Sequence, residues 1–253
     1  MHSIAIAGIV FLAAFGGAVI GMFLRSALPE HHLSSESKDV VKVTMGLVGS
    51  MAALVLGLLV ASATSEFNTQ KSGFQQLAAN VLLLDRTLGH YGPGADKARA
   101  GIRRAVATFL DHWPGGDSQS TGLQSAEVSA DADEVYNTIR DLPAADAGQQ
   151  AVQSQAQAIF ADMAKTRFLL SQQDDPSIPG AFLVVLGFWM CVLFSSFGLF
   201  APRNPTTIIA FFVASLSVAG AIFLIVDMDQ PFEGLIQISS TPLRNVLAQL
   251  GKS

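Results

Sequence analysis

Five histidines, one cysteine and twenty carboxylates are the side chains from which this 253-residue chain could build chemistry. The histidines stand at positions 2, 31, 32, 90 and 112, and only His31-His32 are neighbours. Adjacent side chains on a helix point about 100° apart, so two such rings do not converge on one ion without help. No third ligand lies nearby in sequence, so a structural or solvated pair is expected and no metal site. Cys191 has no cationic neighbour in sequence to lower its pKa and make it a nucleophile. The nucleophile elbow GxSxG, the zinc-protease run HExxH and the phosphate loop GxxxxGK[ST] are all absent. No catalytic residue and no cofactor is expected.

The carboxylates are more suggestive. Glu66, Asp227, Asp229 and Glu233 sit just outside long uncharged stretches, where a ring of subunits would repeat each into a charged collar. In a single chain each reads equally well as a solvated residue at a helix end. Asp85-Arg86 resembles a reactive pair but is expected to be the charged flank of a packing seam.

The elements that must position these residues come in two kinds. Residues 4–24, 43–63, 180–201 and 206–226 contain no Asp, Glu, Lys or Arg. Each is long enough to cross ~30 Å of hydrocarbon as a helix. The first is closed by Arg25 and lacks a basic n-region, so a retained anchor is expected in place of a cleaved signal. One cysteine excludes a secreted disulfide scaffold. A net charge of −5 offers no basic footprint for nucleic acid.

Between the second and third stretches the residues are polar and helical in pattern. Phe67, Phe74, Leu77, Val81, Leu84, Leu88 and Tyr91 keep an a/d seam that only Gln70 interrupts. With Ser34-Ser35 and Glu36 as a start signal, the spacing predicts one rod from about 36 to 91, ended by Gly92-Pro93-Gly94. Further helices are predicted over 95–113, 124–142 and 145–173, with an exposed loop at 114–122. Ala201-Pro-Arg-Asn-Pro205 is a short turn between the last two spans, which are expected to form an antiparallel hairpin. Thr241 is expected to cap a final amphipathic helix with Pro242 at its first position.

The second span carries Gly49, Ala53, Gly57 and Ala61, extended by Ser65, all four residues apart. The first repeats the device in Ala13, Gly17 and Gly21. Small side chains at this spacing let helices approach closely in lipid. Contact between subunits is the favoured use, and packing within one chain uses the same residues. No span holds an ionisable group, which disfavours coupled transport but leaves passive conduction open.

Gly46-Leu-Val-Gly-Ser-Met-Ala-Ala-Leu-Val-Leu-Gly-Leu-Leu-Val-Ala-Ser-Ala63 with Phe67, then Leu84-Asp-Arg86, His90-Tyr-Gly-Pro93 and Asp229-Gln-Pro-Phe-Glu-Gly-Leu-Ile-Gln-Ile-Ser-Ser240, resemble the bacterial bestrophin-like domain proteins over nearly the whole chain. Their more distant relatives, the bestrophins, are pentameric anion or cation channels whose second span lines the pore. The resemblance implies a neck at Ala53, Gly57 and Ala61, which here are small where bestrophins are bulky. Either the constriction is wider, or these residues pack and Leu54 and Leu58 face the lumen. The Arg-Trp-Trp-Glu-type run after the bestrophin second span is replaced by Asn68-Thr-Gln-Lys71.

The resulting expectation is an all-α protein of four transmembrane helices with a four-helix soluble bundle inserted between helices two and three. Residues 1–63 hold the first pair of spans, 64–179 the bundle, 180–226 the second pair, and 227–253 an amphipathic tail. Lys and Arg near the span ends number four on each side, and weighting short loops would make 25–42 cytoplasmic. The resemblance implies the reverse, a cytosolic insert in a bacterial inner membrane, and that orientation is expected. The expected partners are the lipid bilayer, further copies of the chain and, for a channel, an inorganic ion. The expected function is a homo-oligomeric, pentameric bestrophin-like ion channel, not an enzyme, with span two near the axis. The competing reading is a membrane-anchored interaction or sensory protein whose bundle binds a partner.

Overall fold

A computed structural model describes residues 2–28, 35–113, 125–172, 180–232 and 234–251. The elements are α1 (His2–Ala27), α2 (Ser35–Tyr91), a 3-10 turn (Pro93–Ala95), α3 (Asp96–Asp111), α4 (Ala126–Arg140), α5 (Ala147–Gln172), α6 (Gly180–Phe200), α7 (Pro205–Met228) and α8 (Thr241–Gln249). No strand occurs among the described residues. His31-His32, the 114–122 loop and the start signal at Ser34 lie outside them.

The chain divides into two compact units, one comprising Met1–Phe67, Pro176–Gln230 and Gly234–Ile236, the other the remaining residues. In the first unit α1, α2, α6 and α7 are each long and apolar enough to cross a membrane. Their common core is built from Ala14 and Ala18 of α1, Ala52, Leu59 and Ala63 of α2, Leu186 and Leu193 of α6, and Ile222 and Ile225 of α7. α1 is the helix against which both α6 and α7 pack. Small residues make that approach possible. A Cβ on Gly21 would run into the backbone of Ser195, and one on Gly198 into the backbone of Ala18.

Helix ends in this unit are closed by side chains. The Arg203 guanidinium donates to the carbonyl of Met22 at 3.1 Å through Nε, and Arg25 donates to Ala201 O at 2.7 Å. Cations at carbonyl-rich helix ends complement the dipole there. Asn204 caps α7, its Oδ1 accepting from Thr207 N at 2.8 Å, with Pro205 in the first turn. α6 and α7 are therefore joined by the short turn expected. They meet through the rings of Phe194 and Phe211, 6.3 Å between centroids.

In the second unit the a/d seam of α2 is buried from Phe74 through Leu77, Val81, Leu84 and Leu88 to Tyr91. Gln70 is buried in phase with it. Gly92 stops the helix with φ of 96°, a left-handed conformation that side chains oppose. Tyr91 donates its hydroxyl to Pro143 O at 2.5 Å. Phe74, Phe109 and Trp113 form an aromatic cluster that Phe232 completes edge-on to Trp113.

The shorter helices start later and stop earlier than their periodicity implies, because local caps set the ends. Asp146 Oδ1 accepts from Gln149 N at 2.7 Å while Gln149 Oε1 accepts from Ala145 N at 2.9 Å, which starts α5 at Ala147. Gln153 Nε2 donates to the carbonyls of Ile139, Arg140 and Leu142 and so closes α4. α8 begins one residue earlier than expected: Ser240 occupies the cap position and Thr241 is already helical. Its buried side, Leu243 and Val246 with Leu250 beyond the end, is the one the spacing predicts.

Candidate functional site

The membrane part of α2 has three faces. Ala52, Leu59 and Ala63 are buried against the other helices, with Val48, Val55 and Leu56 packed beside them. At about 100° per residue, Gly49, Ala53, Gly57 and Ala61 form a stripe that drifts away from this packed face, and Leu54 and Leu58 lie beyond it. Of the two glycines in the stripe, Gly49 at its near end approaches a neighbour: a Cβ there would lie 3.9 Å from Leu193 Cδ2. Gly46 and Gly57 have nothing within 4 Å of such an atom. Ala53 and Ala61 are exposed, as are Leu54 and Leu58.

The first span uses the same spacing differently. Gly17 and Gly21 lie against α6, where a Cβ on Gly17 would stand 2.8 Å from Cys191 O and 2.9 Å from Ser195 Oγ. Ala13 is half-buried. One small-residue seam is thus consumed inside the chain and the other is left open. Of the apolar core of α2, 11% is buried, against 28% for α1 and α6 and 22% for α7.

The carboxylates expected to form a collar have separate fates. Glu66 and Asp229 are half-buried, and Glu233 lies outside the described residues. Asp227 is placed otherwise than the collar requires. It is 2% exposed, and its Oδ1 and Oδ2 accept from the backbone amides of Leu235 and Ile236 at 3.1 and 2.8 Å. Within this chain it organises the turn after α7. Gly234 packs on it: a Cβ at that residue would lie 2.8 Å from Asp227 Cγ.

Asp85 also departs from expectation. It is 1% exposed and meets Arg99 of α3 in a two-pronged contact, Nε to Oδ1 at 2.9 Å and Nη2 to Oδ2 at 3.1 Å. The flank of the α2 seam is covered by α3, which turns a surface charge into a buried pair. The hydrogen bond to Asp85 raises the Arg99 pKa above its ordinary value, against the opposing effect of burial. Gly251 N approaches Asp85 Oδ2 at 3.4 Å, and Arg103 donates to Leu250 O. Sequence reasoning missed this site because Arg99 sits on another helix, fourteen residues away. Arg86, the other member of the doublet, is exposed.

Four helices able to cross a membrane, with an apolar core among them and a polar helical unit besides, define a helical membrane protein. A family model, the Bestrophin-like domain, matches residues 12–243. The chain belongs to that family. Comparison with curated proteins gives no match, and comparison with solved structures gives none either.

Proposed function

We propose that the chain is one subunit of a homo-oligomeric ion channel, pentameric by its likeness to bestrophins, in which α2 of each copy stands near a shared axis. The observation that carries this reading is the stripe of Gly49, Ala53, Gly57 and Ala61, open from Ala53 onward, on the least covered of the four apolar helices. Lipid is as apolar as leucine, so a face of small residues gains nothing from facing it, whereas a second helix can approach such a face closely. The first span supports this by contrast, because there the same spacing is already in use against α6.

Leu54 and Leu58, beyond the stripe, would then be the bulky residues turned to the lumen, and the small residues the contact between neighbouring copies. Glu66, Asp229 and Glu233 remain as collar candidates. Residues 64–179 would form the soluble insert between spans two and three, on the cytosolic side of a bacterial inner membrane. Nothing in this reading calls for an enzyme.

Purified protein in planar bilayers should conduct above lipid controls, and light scattering in detergent should give a mass several times that of one chain. A monodisperse monomer, or no conductance across several salts, overturns the proposal. Conduction lost from an intact oligomer would leave assembly of a membrane-anchored interaction protein as the better account.

A further inference from the structure

The second unit contains a pocket of about 190 Å³ among α2, α3, α4, α5 and α8. Its wall is built of aliphatic side chains such as Val81, Ile102 and Val128, together with the rings of Phe109 and Phe160 and the thioether of Met163. Of the described residues lining it, Asp133 and Arg167 carry charge, and the two act on each other. Asp133 is exposed, where solvent screens it. Arg167 is half-buried and donates from Nη2 to the hydroxyl of Ser129 at 2.7 Å. The charged part of the wall is thus served from within the chain and asks for no polar ligand. What is left for an occupant is apolar surface.

We infer that this pocket binds a neutral single-ring aromatic molecule with a short apolar substituent, held among Phe109, Phe160 and Met163. Three features select that chemistry. An apolar cavity of ~150 Å³ holds a benzene ring, so this one takes such a ring with about one or two further carbons and not a full lipid tail. Water is a poor occupant, because a buried water needs about 2–4 polar partners and the free wall offers carbon and sulfur; an apolar molecule that displaces it gains free energy. Phenylalanine rings and a methionine sulfur attract an aromatic ring beyond the area they bury, which a saturated ring of the same size does not share. A carboxylate on the ring would give up hydration with no unengaged cation to receive it, and the exposed Asp133 would repel it.

The inference does not depend on conduction, and its test is a binding measurement on the full chain. The protein is placed in nanodiscs of zwitterionic lipid with 13C-methyl methionine, and the Met163 resonance is identified from its loss in Met163→Leu. Titration with toluene should move that resonance saturably. Methylcyclohexane should bind about threefold or more weakly when both are referred to their concentration in the lipid, which cancels their different hydrophobicity. Sodium benzoate should bind at least tenfold more weakly than toluene at equal free concentration in water. Val128→Phe and Ala132→Phe, which fill the pocket from α4, should each abolish the toluene shift, with helical circular dichroism as the folding control. A Met163 signal unmoved up to the solubility of toluene overturns the inference. So does a shift that survives in a folded filled-pocket variant, which would report toluene dissolved in lipid, or methylcyclohexane or benzoate binding as well as toluene.

Discussion

Replacing Asp227 by Ala removes the buried acceptor of two part-buried backbone amides, those of Leu235 and Ile236. An orphaned amide costs about 1 kcal/mol where water can still reach it, so this variant should melt below the parent in detergent, and Asp227→Asn should fall between them. Gly234→Ala should resemble Asp227→Ala, because its methyl would press on the same carboxylate. Asp85→Ala should cost about 2 kcal/mol by taking the two-pronged carboxylate from Arg99, which keeps Asp96 nearby and some contact with water. The pH dependence of the Arg99 contribution follows from its raised pKa. A base whose folded pKa lies above its unfolded value stabilises fully below the unfolded value and loses that gain only at still higher pH. The Arg99 side of the pair should therefore give the difference in Tm between parent and Asp85→Ala no slope between about pH 6 and 9. Neither role was legible in the sequence. Asp227 is served by backbone donors eight and nine residues on, and backbone amides have no side-chain signature. Asp85 is served by a residue on a helix whose orientation the pattern does not fix.

Among the elements, α1 and α2 carry the same four-residue repetition of small side chains and are expected to answer substitution oppositely. Gly21→Leu drives a side chain into the α6 backbone and should destabilise the isolated protomer by about 3 kcal/mol or more, read as loss of folded protein in a detergent melt. Gly57→Ala meets nothing within 4 Å and replaces a poor helix former, so the protomer should be unchanged or stabilised by up to about 1 kcal/mol. The two seams could not be told apart beforehand, since spacing says that a helix may be approached and not by which partner. What could be read was periodic: the α2 seam from Phe74 to Tyr91, the apolar spans, and the buried side of α8. Ends were less legible because Asp146, Gln149 and Gln153 act by hydrogen bonds that compete with the apolar pattern.

For the whole molecule the decisive comparison is between assembly and folding. Gly57→Leu should leave helix content intact while lowering the oligomeric mass or altering conductance, a separation that size-exclusion light scattering and bilayer recording resolve. The membership shown over residues 12–243 covers both units, so a variant that folds but fails to assemble would locate the family's common feature in the protomer. The dependence of α1 on α6 also bears on biosynthesis. About 160 residues separate Gly21 from the start of α6, so at ~5–20 residues per second the ribosome leaves the first span without its partner for about 8–32 s. During that wait its glycines face lipid or the insertion machinery. Nascent chains halted before Gly180 should accordingly be prime substrates for membrane proteases, and the same chains released after Met228 should not.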